Sequence, residues 1–389
     1  MKHYFKIIVI FLSRILLRIF YIFPIKKNRI LFSSFEGRNY GCNPKYIFEY
    51  MYDRYGDLYE YIWCLDNESK ILEKYNVLLC VPLSIKHLFY LSTSHVIISN
   101  QPILPVFPKR KQQMFINTTH GGGAYKKGGI NATFVTTADK RCMIYMKNLR
   151  AKMIDYVISS CRVYTEVFST ETEYNIDKKK FLPIGMPRND LFFNPNQDKK
   201  REIRNKLGID EDLYVILYAP TYRGSYRNTS LFQANIDVNT VCQVVEQRFG
   251  KKSIFLYRSH IADRDLCPDT AMDVSDYQDM QELLLITDIF ITDYSSSIWD
   301  FSQTGKPGFL FTPDLSNYLA EVNFHTPIED WPYPFALTMD ELCKDIIDYN
   351  EAEAHIKIQK HHDLLGSYEK GNATTEVCKI IKKHLDLNI

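Results

Sequence analysis

Residues 288–300 read DIFITDYSSSIWD. The apolar run at 289–292 is too short for a helix and rich in β-branched and aromatic residues, so it reads as a buried strand. Ser295, Ser296 and Ser297 follow as helix-opening residues. A strand that runs straight into a helix is half of a β-α-β unit. The same pattern recurs around it. Residues 214–218 (YVILY), 253–257 (SIFLY) and 308–311 (GFLF) read as further strands buried on both faces, and 238–249 and 280–287 as the helices between them. That alternation predicts an α/β fold with a mostly parallel sheet covered on both sides.

The N-terminal half repeats the rhythm. Strands are predicted at 29–35, 59–65, 77–81, 95–99, 114–117, 155–159 and 181–184. A helix is predicted at 44–55, with Asn43 as its N-cap and Pro44 in the first turn, and another at 83–91. The charged stretch 194–204 (NPNQDKKREIR) marks the boundary between the halves, and 340–349 and 374–384 read as terminal helices. The resulting division is 1–27, 28–194, 195–365 and 366–389. Two similar halves imply a central cleft. Ligands of open α/β sheets bind beyond the carboxyl ends of the strands, which directs attention to the loops after Asn117, Tyr218, Tyr257 and Thr292.

Composition excludes some classes. A formal net charge of +2 is not that of a nucleic-acid binder. Nine cysteines without a C-x-x-C pair argue against structural zinc and for reduced thiols in a cytosolic protein. Residues 4–23 (YFKIIVIFLSRILLRIFYIF) are apolar but interrupted by Lys6, Arg14 and Arg18. Those cations are costly in a membrane span, and no cleavage site follows. On a helical wheel the three fall within an arc of about 120°. An amphipathic helix lying in a membrane interface fits this, its cations reaching head groups and Lys26, Lys27 and Arg29 favouring an anionic surface. A helix packed under the first sheet is the other reading.

Five motifs sit at predicted strand ends. In 117–127 (NTTHGGGAYKK) a strand meets His120, able to act as a base near neutral pH. Its glycines would let backbone N–H groups approach an anion, and Lys126 and Lys127 could hold phosphate oxygens; an exposed turn reads equally well. In 185–190 (GMPRND), Arg188 and Asn189 occupy a first turn, as anion contacts or simply as a helix start. In 218–224 (YAPTYRG), Thr221 offers a hydroxyl and Arg223 a guanidinium suited to phosphate. Arg258 and His260 in 257–260 (YRSH) can face one cleft if the chain stays extended. In 293–296 (DYSS), free N–H groups and hydroxyls at a helix start form an anion site, or Ser caps the helix and Asp293 closes the turn.

Together these residues resemble the CDP-glycerol glycerophosphotransferase family, which includes teichoic acid primases and polymerases. The resemblance rests on 33–44 (SSFEGRNYGCNP), His120-Gly121, 185–190, 217–223 (LYAPTYR), Arg258-Ser259-His260, 274–301 (VSDYQDMQELLLITDIFITDYSSSIWDF) and Lys306-Pro307. It covers nearly everything after residue 28. It implies a GT-B-like fold of two Rossmann-like domains and a peripheral enzyme at the cytoplasmic face of the cell membrane. The implied reaction transfers glycerol phosphate, or a related alditol phosphate, from a CDP-alditol to a hydroxyl of a lipid-linked or polymeric glycan of the wall or capsule, with CMP leaving. By match, His120 is the base and His260 with Arg258 stabilises the leaving group. Thr221, Arg223, Ser295 and Ser296 cradle the donor phosphates with Arg188 and Asp293, and Ser275 and Asp276 lie near the nucleotide. Gly121, Gly122, Lys126 and Lys127 belong to the acceptor side.

Two departures stand out. The family commonly carries Trp before this histidine and Thr-Pro after His-Gly, where this chain has Thr119 and Gly122-Gly123. An Arg-Gly pair after the later tyrosine is replaced by Val322-Asn323 beyond Tyr318. Phosphoryl transfer by Arg, His and helix-start amides needs no obligatory metal or cofactor. The rival readings are a GT-B nucleotide-sugar glycosyltransferase of capsule synthesis, told apart by release of UDP rather than CMP, and a non-catalytic membrane-bound assembly scaffold.

Overall fold

Strand β1 (Lys26–Ser33) carries Ile30, Leu31 and Phe32, all buried, so both of its faces meet protein. A strand covered on both sides needs a continuous apolar run rather than an alternating one. In the computed structural model, residues 2–66, 73–127, 137–221, 236–259 and 267–386 are described, with the side chains of 2–4 and 137–139 left aside.

Beside β1 lie β2 (Glu60–Cys64), β3 (Val77–Cys80), β4 (Ser94–Ser99), β5 (Met114–Asn117), β6 (Tyr156–Ser159) and β7 (Phe181–Pro183). They form one seven-stranded sheet in the order β3-β2-β1-β4-β5-β6-β7, every pair parallel. The second sheet contains β8 (Tyr214–Tyr218), β9 (Ser253–Tyr257), β10 (Met272–Asp273), β11 (Ile289–Thr292), β12 (Gly308–Phe311) and β13 (Phe335–Ala336). Its order is β10-β9-β8-β11-β12-β13, again all parallel. Both sheets therefore wind outward in two directions from a central pair, the 3-2-1-4-5-6 order of doubly wound nucleotide-binding folds.

The chain divides into two units, and the division is not sequential. One unit comprises 1–120, 127–190 and 367–389, the other 121–126 and 191–366. In the first, helices Cys42–Tyr55 and Ala373–Asp386 cover one sheet face. Phe48 packs against Phe32 and Trp63, and Val377, Cys378, Ile381 and Leu385 complete that core. Each such side chain contributes about 1.5–3 kcal/mol by leaving water. In the second unit, Val238, Val241 and Val245 of helix Val238–Phe249 and Leu342 and Ile346 of helix Met339–Ile347 cover the sheet.

Two expectations are corrected, the cap at Asn43 and the outward place of Arg14. Asn43 does not cap the helix after it: Gly41 holds the cap position, and Asn43 lies fully buried in the first turn. The charged stretch at 194–204, read as the boundary between the halves, includes most of helix Gln197–Leu207, capped by Asn196, whose Oδ1 accepts from Asp198 and Lys199 N–H groups. It buries only Ile203, so most of its surface faces water and its sequence is polar. The N-terminal helix Lys2–Leu16, continued by a 3-10 turn at Leu17–Ile22, is not packed under the sheet. Leu12, Leu16, Ile19 and Ile22 are 57%, 70%, 62% and 74% exposed. Arg14, however, turns inward. Its guanidinium donates to the carbonyls of Pro105 (2.7 Å) and Phe107 (2.8 Å), so only Lys6 and Arg18 of the trio stay at the surface. Among the described residues no helix is long and apolar enough to cross a membrane.

Candidate active site

Strand order reverses between β1 and β4 in one sheet and between β8 and β11 in the other. Loops leaving the carboxyl ends of these strands flank the two switch points, where α/β folds bind ligands.

In the first unit the loops after β1, β4 and β5 gather around His120. Its Nδ1 lies 3.3 Å from the Asn100 carbonyl. A carbonyl only accepts, so Nδ1 carries the proton and Nε2 keeps its lone pair. The Asn100 side chain is committed locally: Oδ1 accepts from Phe35 N–H at 2.8 Å, and Nδ2 donates to Ser34 Oγ at 3.3 Å. The Phe35 ring stands edge-on to the imidazole at 5.8 Å. Although His120 reaches the surface, the protein atoms around it push its pKa below the ordinary histidine value. The nearby Arg188 adds to this, and the Asn100 hydrogen bond opposes it.

The backbone here is strained. Phe35, Glu36, Cys42 and Thr119 all have positive φ (47°, 60°, 58° and 54°), conformations that cost non-glycine residues free energy and persist only when surroundings impose them. Asn43 and Arg188 hold the Thr119 turn in place. Asn43 Nδ2 donates to the carbonyls of Thr118 (2.8 Å) and Thr119 (3.2 Å), and its Oδ1 accepts from Arg188 N–H at 3.1 Å. Arg188 Nη1 donates to the His120 carbonyl at 2.9 Å. Arg188, expected among the donor-phosphate ligands, is thus buried behind His120. Its neighbours in the motif are also engaged in architecture. Asn189 donates to Glu369, and Asp190 accepts the Ala373 and Thr374 N–H groups that start the last helix.

The second unit brings the loops after β8, β9 and β11 together. Asp293 is fully buried. Its carboxylate accepts from Thr221 N–H (2.9 and 3.0 Å), Thr221 Oγ1 (2.7 Å) and its own neighbour Tyr294 N–H (2.6 Å). A buried carboxylate would repel a phosphate. Asp293 acts as the clamp that joins the two loops. Ser295 Oγ accepts from Ser297 N–H (3.2 Å) and Ser297 Oγ (2.7 Å) at the start of the short helix Ser297–Ser302. Ser296 has no side-chain capping bond. Tyr294 stacks on Tyr318 at 3.8 Å and donates to Asp314 at 2.9 Å, stiffening the floor.

On the third loop, Arg258 donates to the Tyr277 carbonyl, and its burial lowers its pKa. Ser275 Oγ donates to Asp273 and accepts from Ser259 N–H and Oγ, both at 2.9 Å. Asp276 is exposed beside it. Gly121, Gly122 and Lys126 belong to this unit, and Lys126 lies 5.5 Å over the Tyr318 ring, whereas Lys127 returns to the first unit. Arg223 and His260 lie outside the described residues. Asn43 and Trp299, inside the quoted motifs, and Asn100, outside them, also matter to the site's geometry and were not singled out as site residues.

Two doubly wound parallel units with loop-borne hydroxyls, cations and an oriented histidine define a transferase of GT-B-like architecture. The chain matches the CDP-Glycerol:Poly(glycerophosphate) glycerophosphotransferase family over residues 15–383 and belongs to it. A teichoic acid poly(glycerol phosphate) polymerase of Bacillus spizizenii is 29% identical, covering 93% of this chain and 94% of the relative. A Staphylococcus epidermidis protein of the same description is 30% identical over 93% of this chain, which spans only 51% of that longer relative. Among solved structures, a variant of the wall teichoic acid polymerase TagF soaked with CDPG superposes with a TM-score of 0.84 at 28% identity, covering 100% of this chain and 97% of that one.

Proposed function

We propose that this chain transfers glycerol phosphate from CDP-glycerol to a hydroxyl of a lipid-linked or polymeric glycan acceptor, releasing CMP. The observation that carries this reading is the full-length likeness to TagF, which includes the fold of both units. The acceptor hydroxyl gives its proton to Nε2 of His120 and attacks the phosphorus that bears glycerol. The bond from that phosphorus to the bridging oxygen breaks, and CMP departs with the electron pair. Ser295, Ser296 and Arg258 donate to the diphosphate beside the loop that Asp293 holds through Thr221, and Arg223 and His260 meet the charge that develops on CMP. Ser295 suits this role because its oxygen accepts from Ser297 twice, leaving its own O–H to donate. Preorganised donors of this kind are the main source of rate in phosphoryl transfer.

A donor screen tests the reading. The purified chain, given a lipid-linked glycerol phosphate acceptor, should release CMP from CDP-glycerol and lengthen the acceptor. Preference for CDP-ribitol would change the alditol. UDP release from UDP-sugars, with CDP-alditols inert, would refute it.

A lipid-linked acceptor fits an enzyme that works at the cytoplasmic face of the membrane, held peripherally through residues 4–23. The exposed apolar face at Leu12, Leu16, Ile19 and Ile22 supports this. Deleting residues 2–25 should move the protein from the membrane fraction to the supernatant; undiminished sedimentation with membranes would exclude the helix as the anchor.

A further inference from the structure

The loop that joins β3 to helix Ile85–Thr93 holds three apolar side chains in water. Val81, Leu83 and Ile85 are 54%, 70% and 78% exposed. Leu83 is the unexpected one. Its φ is 63°, a conformation that glycine or asparagine adopts at lower cost than leucine. Local hydrogen bonds impose it. Leu83 N–H donates to Nδ1 of His87 at 3.1 Å. Ser84 Oγ donates to the Val81 carbonyl at 2.6 Å and accepts from His87 N–H at 3.1 Å. Pro82 instead packs on Gly37, where no room is left for a Cβ. The loop is therefore pinned, and its alternate apolar residues are pinned outward. A leucine kept in water on a strained backbone gains nothing from burial in the fold, and an outlier of this kind points to a use elsewhere.

This loop lies beside the N-terminal helix, in the same unit. Helix Ile85–Thr93 packs against the 3-10 turn Leu17–Ile22, and Phe89 meets Phe23 edge-on with ring centroids 5.2 Å apart. Ile85 sits one turn before Phe89 on the same face of its helix. The exposed apolar row that ends at Ile19 and Ile22 thus runs on through Phe23 to Ile85 and Leu83. Both segments carry charge of one sign. Residues 1–35 and 74–127 contain no Asp or Glu, and Lys6, Arg18, Lys27 and Lys86 are exposed within them. An apolar row on segments of purely positive charge suits an anionic lipid surface, where headgroups meet the cations and acyl chains take the apolar tips.

We propose that Val81, Leu83 and Ile85 form a second membrane contact, a rigid loop that inserts into the headgroup region of an anionic bilayer alongside the N-terminal helix. This rests on, and deepens, the reading of that helix as the anchor. A single helix lying in the interface can roll about its own axis. A second, fixed contact stops the roll and sets the tilt of the first unit's sheet to the membrane.

The test uses the full chain and vesicles of phosphatidylglycerol and phosphatidylcholine. The native tryptophans Trp63, Trp299 and Trp331 are fully buried, so a Leu83→Trp chain reports on its new side chain. Its emission should shift to the blue on vesicle addition and be quenched by lipids brominated in the acyl chains. Leu83→Asn suits the positive φ and should melt no lower than the parent, yet bind these vesicles about tenfold more weakly. Leu16→Gln, on the helix, tests the reading beneath. Weakening by Leu16→Gln alone, with Leu83→Asn at parental affinity and the Leu83→Trp emission unchanged, would overturn the loop contact and leave the anchor standing. Weakening by Leu83→Asn but not by Leu16→Gln would remove the helix as anchor and keep the loop. A Leu83→Asn chain that binds vesicles like the parent but loses self-association in sedimentation velocity would make this face an interface between copies and overturn the proposal. Should Leu83→Asn fail to melt cooperatively, quenching of the Leu83→Trp chain decides.

Discussion

The Asn100 carbonyl lies 3.3 Å from Nδ1 of His120 and thereby leaves Nε2 as the basic nitrogen. The protein atoms packed around the ring, with Arg188 nearby, depress the histidine's pKa, so its neutral, competent form persists below the ordinary value of about 6.5. The acid limb of kcat/KM should accordingly fall below pH 6.5, as protonation removes the base. A pH–rate profile from pH 5 to 9 checks this. An acid limb above pH 7 would mean that another group controls the step.

Asp293 and Thr221 share three hydrogen bonds across 72 residues of sequence. Asp293→Asn would turn an amide N–H toward a Thr221 donor, and an unsatisfied buried donor costs about 1–3 kcal/mol. A melting temperature lower by roughly 3–8 °C is expected. The KM for CDP-glycerol should rise with it, because Thr221 loses its anchor. Thermal melts and donor titration together are the check. An unchanged KM would separate the Thr221 loop from donor binding.

His361 and His362 are held neutral by burial, each with its pKa lowered to about 4. A depressed histidine pKa means that the unfolded chain binds protons before the folded one does. The stabilisation is present above about pH 6.5 and is lost as pH falls from 6.5 toward 4, by on the order of 1–2 kcal/mol per histidine at pH 5. Denaturant melts from pH 7.5 to pH 5 should show this decline, and His361→Gln should flatten it. A melting midpoint independent of pH over that range would contradict it.

How much of this was legible in sequence depended on where each signal lay. Strands β8, β9, β11 and β12 fall on the residues expected, since burial on both faces writes an uninterrupted apolar run. Two such series pointed to two α/β halves with mostly parallel sheets, and the GT-B-like architecture came from the family resemblance. Helix Glu351–Leu365 was not anticipated, because only Ile358, His361 and Leu365 are buried on it, and a histidine in that stripe reads as polar. Asn43 before Pro44 looks like a cap, and Arg188 after a proline looks like an anion ligand. Both instead satisfy carbonyls of the His120 loop from far along the chain, a tertiary demand with no local pattern. The Tyr125–His361 pair spans 236 positions. Its existence depends on a segment of six residues leaving one unit for the other, which no periodicity announces.

The central claim is that phosphorus moves with glycerol and leaves with neither cytidine nor water. Two samples of CDP-glycerol, labelled with 32P in one phosphate or the other, test it most directly. Incubated with the chain and a lipid-linked acceptor, label from the glycerol-bearing phosphate should appear in the lipid product, and label from the cytidine-bearing phosphate in CMP. Label from the cytidine side in the lipid, or a lipid that gains glycerol without label from either sample, would contradict the account.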